Sequence, residues 1–211
     1  MRRLALALPA LALAACAQPQ DAPASGTEDM LVAGGCFWCV EADFEKQPGV
    51  VEVISGYAGG ESADPTYKTY EADGHREVAR IVYDPARTDY ATLAATFLRT
   101  IDVTDAGGQF CDRGYGYSSA IYYETEAERA AAQAAIAAAE EKLGREVVTP
   151  VEAEPPFYAA EDYHQDYYKS DDRILSRFGY VTKARAYEGY RRGCGRDARL
   201  AEVWGDAAVA P

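Results

Sequence analysis

Histidine is almost missing from this chain: His75 and His164 are the only two among 211 residues. A protein-bound metal needs several convergent ligands, and two histidines this far apart do not supply them. No metal is expected, and His164 reads as a hydrogen-bonded residue at a pocket edge. Basic side chains are scarce as well, 21 Lys and Arg against 34 Asp and Glu, for a formal charge of −13. Phosphate backbones repel such a surface, which argues against nucleic acid as a partner. Long apolar runs are also missing, since the run from Leu4 to Ala15 is too short to span a bilayer. With no internal repeat and no second linker, the length beyond the leader fits one domain.

What is present begins with a targeting signal over residues 1–16. Arg2 and Arg3 precede the apolar run, as in a secretory leader. Leu13-Ala14-Ala15-Cys16 resembles a bacterial lipobox, in which Cys16 would be lipidated and become the new N-terminus. Acyl chains there would anchor the protein without spanning the membrane, and Ala17 in place of aspartate resembles sorting to the outer membrane. The expected product is an exported lipoprotein on the periplasmic face of that membrane. An ordinary signal peptide with an unmodified cysteine is the alternative. Residues 17–28 carry no large apolar side chain and read as a tether, followed by a single domain over 29–211.

The stretch Gly34-Gly35-Cys36-Phe37-Trp38-Cys39-Val40-Glu41 is the chemical centre of the sequence. An apolar run from Met30 to Ala33 ends in two glycines, after which Phe37, Val40 and Phe44 recur at helical spacing until Pro48-Gly49. Cys36 therefore falls at a helix N-terminus, where unpaired N–H groups and the helix dipole favour the nucleophilic thiolate. Cys39 lies on the same helix face, near enough to be a redox partner. Phe37 and Trp38 can wall a small apolar pocket beside the sulfur. Two inert thiols among core aromatics is the bland alternative.

The remaining pattern predicts a mixed sheet with packed helices, an α/β (α+β) fold. Val50–Tyr57 and Val78–Tyr83 read as strands, and Thr88 caps a helix through Thr100 with Leu93, Phe97 and Leu98 inward. Ser119–Tyr123 is a strand, and Thr125-Glu126-Ala127-Glu128 is a capping box opening an alanine-rich helix that ends at Gly144. Val147–Val151 reads as another strand before Pro155-Pro156. Glu77 stands at a strand entrance, and a carboxylate in such a place would have a raised pKa suited to proton donation if the fold set it beside a nonpolar pocket and a reactive thiol. Cys194 stands between Gly193 and Gly195, which would let it swing toward another site.

The octet around Cys36 resembles the nucleophile motif of the methionine sulfoxide reductase A family. Further matches follow in order: Gly56-Tyr57-Ala58-Gly59-Gly60 with Pro65-Thr66-Tyr67, then Gly74-His75-Arg76-Glu77, Asp112 to Tyr117, and Tyr163-His164-Gln165. Departures occur at Asp73, Ile101 and Ser118, where the family more often has threonine, histidine and arginine. The resemblance implies a ferredoxin-like core with an irregular C-terminal segment, working as a monomer without a bound cofactor. It implies that Cys36 attacks the sulfur of a methionine-S-sulfoxide in an oxidised protein or peptide. Glu77, Tyr67 and Tyr117 would protonate or hydrogen-bond the oxygen, Asp112 would line the site, and Phe37 and Trp38 would hold the methyl group. Cys36 would become a sulfenic acid, a second cysteine would condense with it, and an external dithiol of thioredoxin type would reduce the disulfide. Cys194 ranks first as that second cysteine and Cys111 second, as a relay, because Cys39 shares a helix turn with Cys36 where disulfide geometry is hard to reach. Two rivals remain, a thioredoxin-like oxidoreductase using Cys36 and Cys39 and a non-catalytic lipoprotein module; the first leaves Glu77, Asp112 and Tyr117 without a task.

Overall fold

The computed structural model describes residues 26–209; the leader, Cys16 and residues 17–25 of the tether lie outside the described residues. In chain order come β1 (Glu28–Gly34), α1 (Phe37–Phe44), β2 (Val50–Ala58), β3 (Arg76–Tyr83) and α2 (Tyr90–Leu98). Two short strands, β4 (Gly108–Gln109) and β5 (Asp112–Arg113), precede β6 (Ser119–Tyr123) and α3 (Glu126–Leu143). β7 (Val151–Ala153) and β8 (Phe157–Ala159) complete a six-stranded sheet ordered β7-β6-β1-β3-β2-β8. Within it β6-β1-β3-β2 are all antiparallel, with α1 and α2 as crossovers, which is the ferredoxin-like arrangement. The β6–β7 pairing is parallel, so the sheet is mixed.

Burial on both faces explains why β1 reads as a continuous apolar run rather than an alternation. Met30 and Val32 face the main core with Val53, Ala79, Ile81 and Ile121, covered by Val40, Phe44, Leu93 and Phe97 of α1 and α2. Leu31 and Ala33 face the other side, with Val78, Ala120, Tyr122 and Phe157. The capping box forms as expected, Thr125 accepting from Glu128 N and Glu128 reaching back, and Gly144 ends α3 in the left-handed conformation.

Three local expectations shift. Asp89 rather than Thr88 caps α2, its carboxylate accepting from Thr92 N at 2.7 Å. The strand expected at Val147 begins at Val151, because Val147 N donates to Glu140 Oε1 and Val148 N to Val103 O instead of to a neighbouring strand. β1 opens at Glu28, one residue inside the expected tether.

After β8 the chain adds nothing to the large sheet. It makes 3-10 turns at Asp162–His164 and Tyr167–Lys169, a hairpin of β9 (Arg173–Ser176) and β10 (Gly179–Thr182), then α4 (Lys183–Cys194) and α5 (Arg196–Trp204). Leu200 and Trp204 fasten α5 to the core, and Trp204 Nε1 donates to Ile101 O at 3.1 Å. Cys194 is the last residue of α4, so helix holds it on its N-terminal side; only Gly195, at φ 68°, takes a conformation that favours glycine. Among the described residues no helix is long and apolar enough to cross a membrane.

Candidate active site

The two glycines before Cys36 are steric requirements. A Cβ on Gly34 would come within 2.9 Å of Phe97 and Val40, and Gly35 has φ 78° with the Gln109 Cβ at 2.5 Å from such an atom. β1 can therefore turn abruptly into α1 while staying against the core. Cys36 is the N-cap, with φ −51° and ψ 116°, outside the helical conformation that Cys39 adopts.

A cavity of about 330 Å³ opens at this turn. Its lining includes every side chain expected in the described part of the site: Cys36, Phe37, Trp38, Tyr67, Glu77, Cys111, Asp112, Tyr117 and Cys194. Cys39, Arg177, Arg191 and Arg196 line it too. Phe37 is buried, and Trp38 is half-buried and stacked on Tyr167 at 3.8 Å between ring centres. Tyr67 is exposed at the mouth, 4.6 Å from the His164 ring and 6.0 Å from that of Tyr70. Among the described residues the hydrogen bond expected at His164 is absent: neither ring nitrogen has a hydrogen-bond partner there, Glu161 lies 3.9 Å away, and the ring is enclosed by Phe37, Trp38, Tyr67 and Tyr163. Burial lowers its pKa to about 4, so it is neutral near pH 7.

Glu77 lies within β3 and is 2% exposed. One carboxyl oxygen accepts from the backbone N of Phe37 at 2.9 Å, which sets it beside the residue that follows Cys36. The other accepts from the Tyr70 hydroxyl at 3.2 Å. Burial outweighs both hydrogen bonds and raises the Glu77 pKa to about 8, with the Asp112 charge adding to the rise. Tyr70 was not foreseen among sixteen tyrosines; its sole sequence signal is a position three residues after Tyr67, within the turn that leads to Glu77.

The thiols carry a correction. A helix N-terminus alone favours a Cys36 thiolate, yet the Cys36 pKa is pushed well above its ordinary value by a hydrogen bond with Cys39, by burial, and by the Cys39, Glu77 and Asp112 charges. Cys39 is pulled down to about 7 by the same hydrogen bond, with Arg196 and Arg191 adding to it against burial. That hydrogen bond therefore disfavours a thiolate at Cys36 and favours one at Cys39. Cys111 and Cys194 are joined in a disulfide across 83 residues, with Cα atoms 4.9 Å apart, and Cys36 and Cys39 are free. Cys111, Asp112 and Cys194 cluster closely enough to hold an ion, but with both sulfurs bonded to each other only the carboxylate remains a strong donor.

Residues 28–192 match the family model for peptide methionine sulfoxide reductase. The chain is 48% identical over 198 residues to peptide methionine sulfoxide reductase MsrA 2 of Rhizobium meliloti, covering 94% of each chain. It is 44% identical to the MsrA 2 of Caulobacter vibrioides, covering 97% of this chain and all of that one. Among solved structures it resembles reduced Mxr1 of Saccharomyces cerevisiae, with TM-score 0.66 and 26% identity over 77% of this chain and 96% of that one. Methionine sulfoxide reductase A of Corynebacterium diphtheriae gives TM-score 0.60 and 29% identity over 68% and 74%. The match runs through Cys36, Glu77 and the tyrosines of the cavity, and the chain belongs to the peptide methionine sulfoxide reductase A family, whose members reduce methionine sulfoxide to methionine.

Proposed function

We propose that Cys36 is the nucleophile and Glu77 the proton donor of this reductase, acting on the S epimer of methionine sulfoxide. The observation that carries the assignment is a carboxyl group kept protonated near pH 7 by burial, hydrogen-bonded to the residue after Cys36 and lining the same cavity. Substrate sulfur approaches Cys36 with its methyl group against Phe37 and Trp38. Cys36 passes its proton to Cys39 and attacks the sulfur, while Glu77 delivers a proton to the oxygen, helped by the hydroxyls of Tyr67 and Tyr117. Asp112 completes the wall beside them. The hydroxyl moves from the substrate sulfur to the Cys36 sulfur, the bond between the two sulfurs that the attack formed breaks, methionine leaves, and Cys36 carries the oxygen as a sulfenic acid.

Cys194 then condenses with that sulfenic acid, releasing water, and Cys111 displaces Cys36 to leave the outer disulfide. A thioredoxin-type dithiol reduces it from the surface, where Cys111 is exposed and Cys194 half-buried. The proposed working unit is a monomer. Oxidised proteins outside the cytoplasm are the proposed substrates, reached from a lipid anchor at Cys16 on the periplasmic face of the outer membrane; Arg2, Arg3 and Leu13-Ala14-Ala15-Cys16 support that reading. Steady-state reduction of separated R and S sulfoxides of a methionine peptide with dithiothreitol tests the reaction, and turnover of the R epimer alone contradicts it. Intact mass of the membrane-extracted protein tests the anchor, an N-terminus without acyl groups being the contrary result.

A further inference from the structure

Cys39 is buried on the face of α1 that carries Asp43 one turn later. Two arginines from the C-terminal helices close on that carboxylate, Arg191 Nη1 at 2.9 Å from Oδ1 and Arg196 Nη2 at 3.7 Å from Oδ2. Arg191 has other company: Asp197 accepts from it at 2.6 Å, and its Nη1 donates to the Tyr187 hydroxyl. Arg196 has less. It is 2% exposed, and Asp43 is its one carboxylate partner within ion-pair distance among the described residues. Its Nη2 donates to Thr100 O at 2.8 Å and its Nη1 to Gly34 O at 3.5 Å, while its Nε has no hydrogen-bond partner among the described residues. A buried guanidinium so incompletely paired, in the wall of a cavity, is stabilised by any further anion in that cavity. Cys36 and Cys39 line that same cavity, and a thiolate at either would be such an anion.

We propose that Arg196 is a positioning residue that holds the negative charge of the Cys36–Cys39 pair, and that the Cys111–Cys194 disulfide fixes it in place. Arg196 follows Cys194 by two residues, and its guanidinium lies 4.5 Å from the centre of the ring of Phe110, the residue before Cys111. Both sides of the disulfide therefore grip it. The family match ends at Arg192, before Cys194 and Arg196.

Other charged and titratable groups face the pair from each neighbouring element. Glu77 of β3 and Asp112 of β5 oppose a thiolate at Cys36, and Asp43 opposes one at Cys39. Arg191 of α4 favours it, while Tyr187, Tyr190, Tyr67, Tyr117 and Arg177 also line the cavity. Among these charges Arg196 lowers the Cys39 pKa most. The consequence is a link between the two cysteine pairs: while the outer disulfide left by a turnover is closed, Arg196 stays fixed beside the inner pair, and opening the disulfide relaxes that hold.

The inference gives the proposed nucleophile its electrostatic setting, but its test does not pass through turnover. In the full chain with the outer disulfide closed, the rate of iodoacetamide alkylation at Cys36 and Cys39 is followed against pH by peptide mass mapping. Arg196→Met should move the midpoint upward by at least about one pH unit, and Arg196→Lys should restore most of that change. Asp43→Asn should move it downward. Cys111→Ser combined with Cys194→Ser should raise it part of the way. A folded Arg196→Met protein with an unmoved midpoint overturns the role of Arg196, and an unmoved midpoint in the double serine variant overturns the link to the disulfide. Should Arg196→Met fail to fold by near-ultraviolet circular dichroism, Asp43→Asn decides with the opposite sign, and a midpoint that stays or rises overturns the proposal. Sulfoxide reduction surviving in Cys36→Ser would defeat the nucleophile assignment and leave this titration intact.

Discussion

Cys36 and Cys39 occupy the first turn of α1, where Phe37, Val40 and Phe44 are buried against the sheet. Cys111 and Cys194 belong instead to a two-strand turn and the end of α4, outside the large sheet. The first pair is half-buried and buried, free, and beside a buried acid; the second is exposed and half-buried, and joined. The difference follows the demands of the two half-reactions. Attack on a sulfoxide needs a thiol and an acid held in fixed geometry, which a strand–helix junction supplies. Disulfide exchange with another protein needs sulfurs that the partner can touch, which peripheral segments supply.

The sharpest way to break this division is to remove the inner nucleophile. Cys36→Ser should abolish methionine formation even in single turnover, since a serine hydroxyl stays protonated without a base; measurable first-turnover product would move the chemistry elsewhere. Next in size is the acid. Glu77→Gln keeps the shape and removes the proton, so the chemical step should slow by about 10²-fold or more in rapid quench. Because burial sets the Glu77 pKa to about 8, wild-type single-turnover rates should fall as pH rises through that value. Stability carries the same sign: the buried carboxyl keeps its proton up to about pH 8 while the unfolded one ionises near 4.5, so stability falls across that window. Urea midpoints should lose this slope in Glu77→Gln.

What sequence patterns carry well is whatever depends on neighbours in the chain. The strand-turn-helix at Cys36, the Thr125 capping box and the Gly144 stop are local, and the structure realises each. The Glu77 environment was legible because a motif fixes it next to a recognisable turn. The Val147 strand and the His164 hydrogen bond failed for a common reason, since each is decided by distant partners: Glu140 and Val103 claim the N–H groups of Val147 and Val148, and four aromatic rings enclose His164. Arg196 is the extreme case. Read along the chain it is an ordinary cation after a glycine, and only the fold brings it to Gly34, Asp43 and Thr100.

The outer pair gives a smaller effect on the first turnover and a larger one on recycling. Cys194→Ser should retain one turnover and then stall, with sulfenic acid on Cys36 trapped by dimedone and steady-state turnover with a protein dithiol reduced by about tenfold or more. If Cys111→Ser alone accumulates the adduct, Cys111 is the first partner and the order of exchange is reversed. Either outcome keeps the division between inner and outer pairs. A dimedone adduct that forms in neither variant would shift the resolving role to Cys39 and dissolve it.

The finest test concerns Tyr70, which touches the acid without reaching the thiol. Its hydroxyl donates to Glu77 Oε1 at 3.2 Å and so favours the ionised carboxylate. Tyr70→Phe removes that donor from a buried carboxyl, which raises the Glu77 pKa further and keeps the acid protonated to higher pH. A hydrogen bond of this kind contributes about 1 kcal/mol, so single-turnover rates near neutral pH should change by no more than about fivefold. The alkaline limb of the pH–rate profile should move upward, whereas the alkylation profile of the outer thiols, opened by mild reduction, should stay where it is. A limb that moves downward would mean that Tyr70 serves the protonated acid rather than the carboxylate, and that its hydrogen bond runs with Glu77 as donor.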